Sequence, residues 1–200
     1  MSKLSLKRLT VESLSKESQN LINSWQEFKK PIDRNDWHLY FILQAYLAST
    51  RSLDYNTQCG AVITKNNTVL STGYNSFIRN IKDDVLPNVR PTGKLLIDKY
   101  DFMIHGEHNA ILNCARRGIK CSGANLYVTG PPCCNCLQFA YQAGIRNVIF
   151  PNYNVANMTE NEKYKIQFEI LTHLMPTINI MSVDLDETTI EKIEKIKSCR

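Results

Sequence analysis

The sequence predicts an α/β fold with helices on both faces of a mixed central sheet of about five strands. Three observations predict it. Between residues 107 and 150 the chain runs helix, strand, helix, strand, an alternation that implies parallel pairing through right-handed crossovers. Upstream, two β-rich runs meet at Asn66-Asn67, a hairpin turn that adds antiparallel strands. No repeat of 20–50 residues and no low-complexity tract breaks the 200 residues, which suits one domain with extensions.

In chain order, residues 10–29 read as an amphipathic helix with Val11, Leu14, Leu21, Ile22 and Trp25 near one face, ended by the Pro31 turn. Residues 1–35 are thus expected to be a helical extension packed on a main domain, 36–200. A second helix starts after an Asn35/Asp36 cap and is expected to carry Trp37, Tyr40, Phe41, Ala45, Leu47 and Ala48 inward. Strands follow at 59–64 and 68–73. Residues 75–104, with Pro87, Pro91 and Gly93 among mixed charges, read as a long loop; such loops are usually functional, so it is expected to be a lid or an effector site. Then come a helix at 107–117, a strand at 125–129, a helix at 134–143, a strand at 146–150, a helix at 159–174, an edge strand at 177–183 and a charged helix at 186–198 with Ile190, Ile193 and Ile196 on one stripe.

Composition narrows the class. With 43% hydrophobic and 22% charged residues the chain can fill a core, which excludes disordered, collagen-like and disulfide-knot proteins. No run of 18 apolar residues occurs and the first 35 are too polar for a secretory leader, so a cytoplasmic protein that neither spans nor enters a membrane is expected. The net charge of +5 is spread thinly, with seven basic and four acidic side chains in residues 1–35 and four and five in 184–200. A duplex-binding stripe, and with it a stable nucleic-acid partner, is not expected. Seven cysteines is an odd number, and three crowd into Pro132-Cys133-Cys134-Asn135-Cys136. Thiolates packed so closely in a reducing compartment more often hold a metal than a disulfide.

Two segments carry chemistry: His105-Gly106-Glu107 and the cysteine cluster. H-x-E followed by P-C-x-x-C is the mark of zinc nucleobase deaminases. Cys133 and Cys136, spaced i and i+3 on a helix that Pro132 can start, place both sulfurs at its N-terminus, where the dipole favours thiolate. His105 supplies a third ligand and leaves a fourth tetrahedral position for water. Glu107, two residues on, reaches that water without binding the metal. The expected reaction is attack of zinc-activated hydroxide on C4 of a cytosine ring, with Glu107 taking the water proton, delivering it to N3 and protonating the departing amine. The competing readings are a redox pair and a closed structural zinc site, for which Cys134 and His108 are the nearest fourth ligands. Cys59, Cys114, Cys121 and Cys199 read as packing or surface residues, and His38 and His173 as structural.

From Trp37 to Phe150 the chain resembles the deoxycytidylate deaminases of the cytidine/deoxycytidylate deaminase superfamily, in the form found in phages and eukaryotes. The resemblance rests on residues 51–61 (RSLDYNTQCGA), Gly73-Tyr74-Asn75, Asp83-Asp84-Val85-Leu86-Pro87, Lys99-Tyr100, the HGEHNAI segment, Leu126-Tyr127-Val128-Thr129 and PCCNC. It implies a three-layer cytidine deaminase-like fold, dCMP as substrate or dCTP as an alternative, and dUMP for thymidylate synthesis as the product. It places Asn56 at the sugar 3′-hydroxyl, Arg51, Ser52 and Tyr153 near the 5′-phosphate, and the Gly106 backbone at the pyrimidine. It further implies dCTP as activator and dTTP as inhibitor, held with magnesium in the 73–84 segment by Gly73, Tyr74, Asn75, Arg79, Lys82, Asp83 and Asp84. The subunits form a homo-oligomer on this reading, commonly a hexamer; Arg116 and Arg117, at the end of the 107–117 helix, are candidates for a subunit interface or a phosphate, with pairing to the helix C-terminal dipole as the simpler alternative. The chain departs from the family pattern at Gly106 and Leu137, where alanine is usual, and at Ser76 and Ile78, where the loop usually has glycine and proline. Rival functions are a single-stranded DNA or tRNA deaminase and a zinc-stabilised nucleotide-binding module without activity.

Overall fold

The computed structural model describes residues 15–25, 36–89, 98–152 and 162–198. The chain divides into two compact units, residues 1–35 and 36–200. In the first, helix α1 (Lys16–Ser24) begins where the Ser15 side chain accepts from the Ser18 N–H, and none of its side chains is buried.

The second unit is a three-layer α/β/α structure around a mixed sheet. Helix α2 (Trp37–Ser49) is capped by Asp36 through the Leu39 N–H. Strands β1 (Gly60–Lys65) and β2 (Thr68–Tyr74) form an antiparallel hairpin. Asn66 and Asn67 both have positive φ, 50° and 57°, as a hairpin turn that follows the strand twist requires. Two-residue strands β3 (Ser76–Phe77) and β4 (Met103–Ile104) pair with each other, and a 3-10 turn (Lys99–Asp101) precedes β4. Then follow α3 (Gly106–Arg116), β5 (Asn125–Val128), α4 (Cys134–Gln142), β6 (Asn147–Pro151), α5 (Glu162–Leu174), β7 (Asn179–Val183) and α6 (Glu187–Lys197). The strand order is β2-β1-β5-β6-β7; β5, β6 and β7 run parallel to one another and β1 is antiparallel to both neighbours.

Period-two alternation along the strands feeds two cores. Ala61, Ile63, Leu126, Val128 and Val148 face α3 and α4, meeting Ala110, Cys114, Leu137 and Ala140. Val62, Tyr127 and Ile149 face the opposite way, against Phe41, Ile42, Ala45 and Tyr46 of α2 and Ile193 of α6. Two glycines allow the helices to lie this close. A Cβ at Gly60 would stand 1.9 Å from the Ala45 carbonyl oxygen, and one at Gly73 would stand 2.2 Å from the Gly106 carbonyl oxygen.

Three expectations are corrected. The buried face of α2 is Phe41, Ile42, Ala45, Tyr46 and Ser49, whereas Trp37, Tyr40 and Leu47 are exposed. Nearly every residue of this helix is apolar, so its period does not single out the face that the sheet covers. The 75–104 segment is not loop throughout, since it holds β3, β4 and the 3-10 turn; residues 90–97, with Pro91 and Gly93, lie outside the described residues. The helix expected at 10–29 spans Lys16–Ser24 among the described residues.

Candidate active site

Two helix N-termini meet at the site. His105 is the N-cap of α3 and Cys133 the N-cap of α4, so Cys133 sits one position ahead of the helix rather than inside it. The His105 ring makes no capping bond and is turned to the cysteines: its Nδ1 lies 3.5 Å from Cys133 Sγ and 3.3 Å from Cys136 Sγ. The three donor atoms lie within 4.8 Å of one another. Tetrahedral zinc, with bonds of about 2.3 Å to sulfur and about 2.0–2.1 Å to nitrogen, sets its donors about 3.5 Å apart, so the spacing fits the metal.

The electrostatics favour the same ion. Cys133 Sγ accepts from the Cys136 thiol, from the His105 ring and from the Cys136 N–H, which pulls its pKa down to about 4 against the opposing effect of burial. Cys136, the proton donor in that pair and itself buried, is raised instead. His105 is raised, chiefly by its bond to Cys133. Thiolate and imidazole within bonding distance of one point are the donors zinc prefers.

Glu107 lies in the first turn of α3, buried, and outside the donor cluster. Burial pushes its carboxyl pKa up, as suits a group that must take and release protons. Beside it sits the Cys59 thiol, raised to about 12 by burial first and then by the Glu107 and Asp54 charges. The two other residues weighed as fourth ligands do not join the donor group: Cys134 is buried, and the His108 ring, stacked on the His105 ring at 6.1 Å between centroids, packs edge-on against Phe139 at 4.4 Å. Burial lowers the His108 pKa, so this ring is a neutral packing group.

A concavity of about 550 Å³ opens between the end of α2, β2–β3, the 78–83 segment and one face of α3. Of the expected effector residues, Gly73, Tyr74, Arg79, Asp83 and Arg116 line it, and Lys82 and Asp84 do not. Arg51 and Ser52, expected at the substrate phosphate, line this cavity too. The Ser52 hydroxyl is buried and donates to the Asn75 carbonyl at 2.8 Å. The close approach at Gly73 is made by the first turns of α3, the Gly106 carbonyl and the Ala110 N–H group.

Asn75 does not line the cavity. Its side chain is buried, accepts from the Cys59 N–H and donates to the Thr57 carbonyl, both at 2.8 Å. Asn56 is exposed on the same loop, and Tyr153 lies outside the described residues. Sequence reading missed Asn109 and Asn113, which line the cavity with Arg116. Their spacing on one face of α3, a polar stripe three and four residues apart, was the available signal.

Residues 35–152 match the family described as the cytidine and deoxycytidylate deaminase zinc-binding region. The chain is 31% identical over 174 residues to human deoxycytidylate deaminase, covering 84% of this chain and 97% of that protein. It is 32% identical to the deoxycytidylate deaminase of Mycobacterium phage D29, covering 60% of this chain and 98% of the phage protein. Among solved structures, the dCMP deaminase of cyanophage S-TIM5 superposes with a TM-score of 0.57 at 20% identity, covering 76% of this chain and all of that one, a likeness of fold. A donor cluster fit for zinc, a buried glutamate beside it, the sheet order and these relatives agree: the chain belongs to the cytidine and deoxycytidylate deaminase family.

Proposed function

We propose that the protein catalyses the hydrolytic deamination of dCMP to dUMP and ammonia, which supplies dUMP for thymidylate synthesis. The observation that carries this reading is a buried carboxylate, Glu107, placed beside a three-donor cluster without being one of its donors. His105, Cys133 and Cys136 would hold the zinc. Bound there, zinc supplies a water activated as hydroxide at neutral pH. Glu107 takes up the proton released as oxygen adds to ring C4 and delivers it to N3. It then takes the proton of the new C4 hydroxyl and passes it to the C4 amino group, and the C4–N bond breaks to leave a carbonyl at C4 and ammonia. The Gly106 N–H at the start of α3 and Asn56 are the polar contacts assigned to the pyrimidine and the sugar 3′-hydroxyl, with Tyr153 near the 5′-phosphate.

Human deoxycytidylate deaminase, matched over almost its whole length, supports the choice of dCMP over a polynucleotide. Ammonia release from dCMP, dCTP, deoxycytidine and a single-stranded oligonucleotide tests it, with dCMP expected to react fastest. Faster turnover of the oligonucleotide would overturn the assignment, and faster turnover of dCTP would move it to the triphosphate.

The 550 Å³ cavity is our candidate for allosteric control in a homo-oligomer, commonly a hexamer in this family. Arg51, Arg79 and Arg116 in one cavity suit a triphosphate, and Asp83 suits its magnesium. Ser52 also lines it and is bonded to Asn75, which in turn holds residues 57 and 59. An effector that moves this wall therefore bears on the loop beside Glu107, and the coupling must be reciprocal. Sigmoidal dCMP kinetics, sharpened by dTTP and relieved by dCTP, are expected; hyperbolic kinetics indifferent to both with magnesium present would remove this part of the proposal.

A further inference from the structure

We propose that Lys99 is a positioning residue whose buried ammonium sets the orientation of the Asn56 carboxamide, and so the donor that this loop presents to the substrate's sugar. The inference rests on the reading above that Asn56 meets the sugar.

The Lys99 side chain is entirely buried, as is that of its ion-pair partner Asp54. Its Nζ donates to Asp54 Oδ1 at 2.8 Å, to the Asn88 carbonyl at 3.0 Å and to Asn56 Oδ1 at 3.1 Å. An ammonium has three protons, and each finds an acceptor from a different residue. The same Asp54 oxygen accepts the N–H groups of Asn56 and Thr57 at 2.8 and 2.9 Å. The Asn88 carbonyl also accepts the Tyr55 N–H at 2.9 Å. One cation thus ties together the 54–57 loop, the end of the 83–88 segment and the 3-10 turn that leads to β4.

Stability alone does not explain such a pair. Desolvating both charges costs about what their attraction returns, and an apolar pair of similar volume would hold the fold as well. The pair does something an apolar contact cannot. With the Asn56 oxygen bound to an ammonium, the flipped amide would press its NH2 group against a cation, so the carboxamide is held with its oxygen inward and its N–H2 end turned away from Lys99. That end can only donate. The group it meets must be an acceptor, such as the oxygen of a sugar hydroxyl. Asn75 fixes the other end of the loop at Thr57 and Cys59, so Lys99 and Asn75 together hold the backbone between Asn56 and the Cys59 thiol beside Glu107.

The test pairs Asp54→Asn with Lys99→Met, which removes both charges at near-constant volume and spares the fold an unpaired buried carboxylate. The probes are dCMP and its 2′,3′-dideoxy analogue, which lacks the 3′-hydroxyl. The double variant should keep its zinc and lose roughly tenfold to a hundredfold in kcat/KM for dCMP, with the analogue affected less than about twofold. Adding Asn56→Ala should cost nothing more. Equal losses on both substrates, or losses that multiply when Asn56→Ala is added, would overturn the proposal. A second readout needs no turnover: the Asn56 side-chain amide resonances should move to solvent-averaged positions in the double variant. If they stay where the wild type has them, Lys99 does not position Asn56. Failure of the wild type to deaminate dCMP while those resonances do move would instead overturn the assigned substrate.

Discussion

Helix α3 serves two regions built in different ways. Its N-cap His105 joins the N-terminus of α4 to form the donor cluster, with Glu107 of its first turn beside it; its later turns, with Asn109, Asn113 and Arg116, wall the arginine-lined cavity. The cluster comes from two short peptides whose helix caps aim the donors, so its geometry is written locally. The cavity draws on the end of α2, on β2 and β3, on the 78–83 segment and on α3, and only the packing of all four brings its cations together. A site aimed by caps tolerates drift elsewhere in the sequence, whereas a site assembled by packing changes with any one wall.

Glu107→Ala tests the cluster most severely. Activity should fall by about 10²–10⁴-fold with zinc content unchanged, measured by metal analysis beside ammonia release. Zinc lost with that change would put Glu107 among the donors. Gly73→Ala should damage both regions at once, because its Cβ would meet backbone at 2.2 and 2.4 Å, the Gly106 carbonyl and the Ala110 N–H, which cannot step aside as a side chain would. A loss of about 2–4 kcal/mol in chemical denaturation is expected. A neutral outcome would mean that α3 does not lie on β2 as described. Arg116→Ala separates the regions: dCTP binding should weaken about tenfold with zinc content intact, read by titration calorimetry.

The cluster was legible because its residue types and spacing are themselves the chemistry, and both helices begin within a residue of where the pattern put them. The sheet was legible for a related reason, since β1, β5 and β6 each hold a short apolar run (Val62-Ile63, Leu126-Tyr127-Val128, Val148-Ile149-Phe150) between turn signals. Where reading failed, the deciding contacts are distant in sequence. Arg51 and Ser52 follow a helix end, and nothing local shows that they also line the arginine-rich cavity. Asn75 was assigned to a nucleotide, yet its amide is spent on the 57–59 loop. Lys99 has the residue type most often found in water, and only the tertiary structure reveals that it is buried on Asp54. Two-residue strands such as β3 and β4 leave no period to find.

Thiol chemistry sharpens the contrast within the cluster's own neighbourhood. Cys133, drawn well below the usual thiol range by the Cys136 thiol and the His105 ring, carries the thiolate at neutral pH and loses its charge only in acid. Cys59, raised to about 12, stays a neutral thiol until the solution is strongly alkaline. In zinc-stripped protein at pH 7, iodoacetamide should therefore alkylate Cys133 at least about tenfold faster than Cys59, with peptide mapping as the readout. Restoring zinc should suppress the Cys133 adduct. Preferential labelling of Cys59 would mean that it is not packed against Glu107.

The smallest effect is expected where the two regions touch. A Cβ at Gly106 would lie 3.2 Å from the Cys59 carbonyl oxygen, 3.3 Å from the Tyr74 Cα and 3.5 Å from the Asn75 nitrogen, so it meets both the catalytic loop and the cavity's strand. The first two distances are tight, and each neighbour must give by a few tenths of an ångström. Against that, alanine at the first position of α3 restricts the unfolded chain and favours the helix by about 0.5–1 kcal/mol relative to glycine. The terms oppose each other at similar size, so Gly106→Ala should leave stability within about 1 kcal/mol of the wild type and change kcat/KM by less than about tenfold. The Cys59 carbonyl belongs to a loop pinned at Asn75, whereas Tyr74 lies at the end of a paired strand. The loop is the part that should yield. A shift in KM without loss of stability would match that yielding, while a drop of several kcal/mol would show that the loop is as rigid as the sheet.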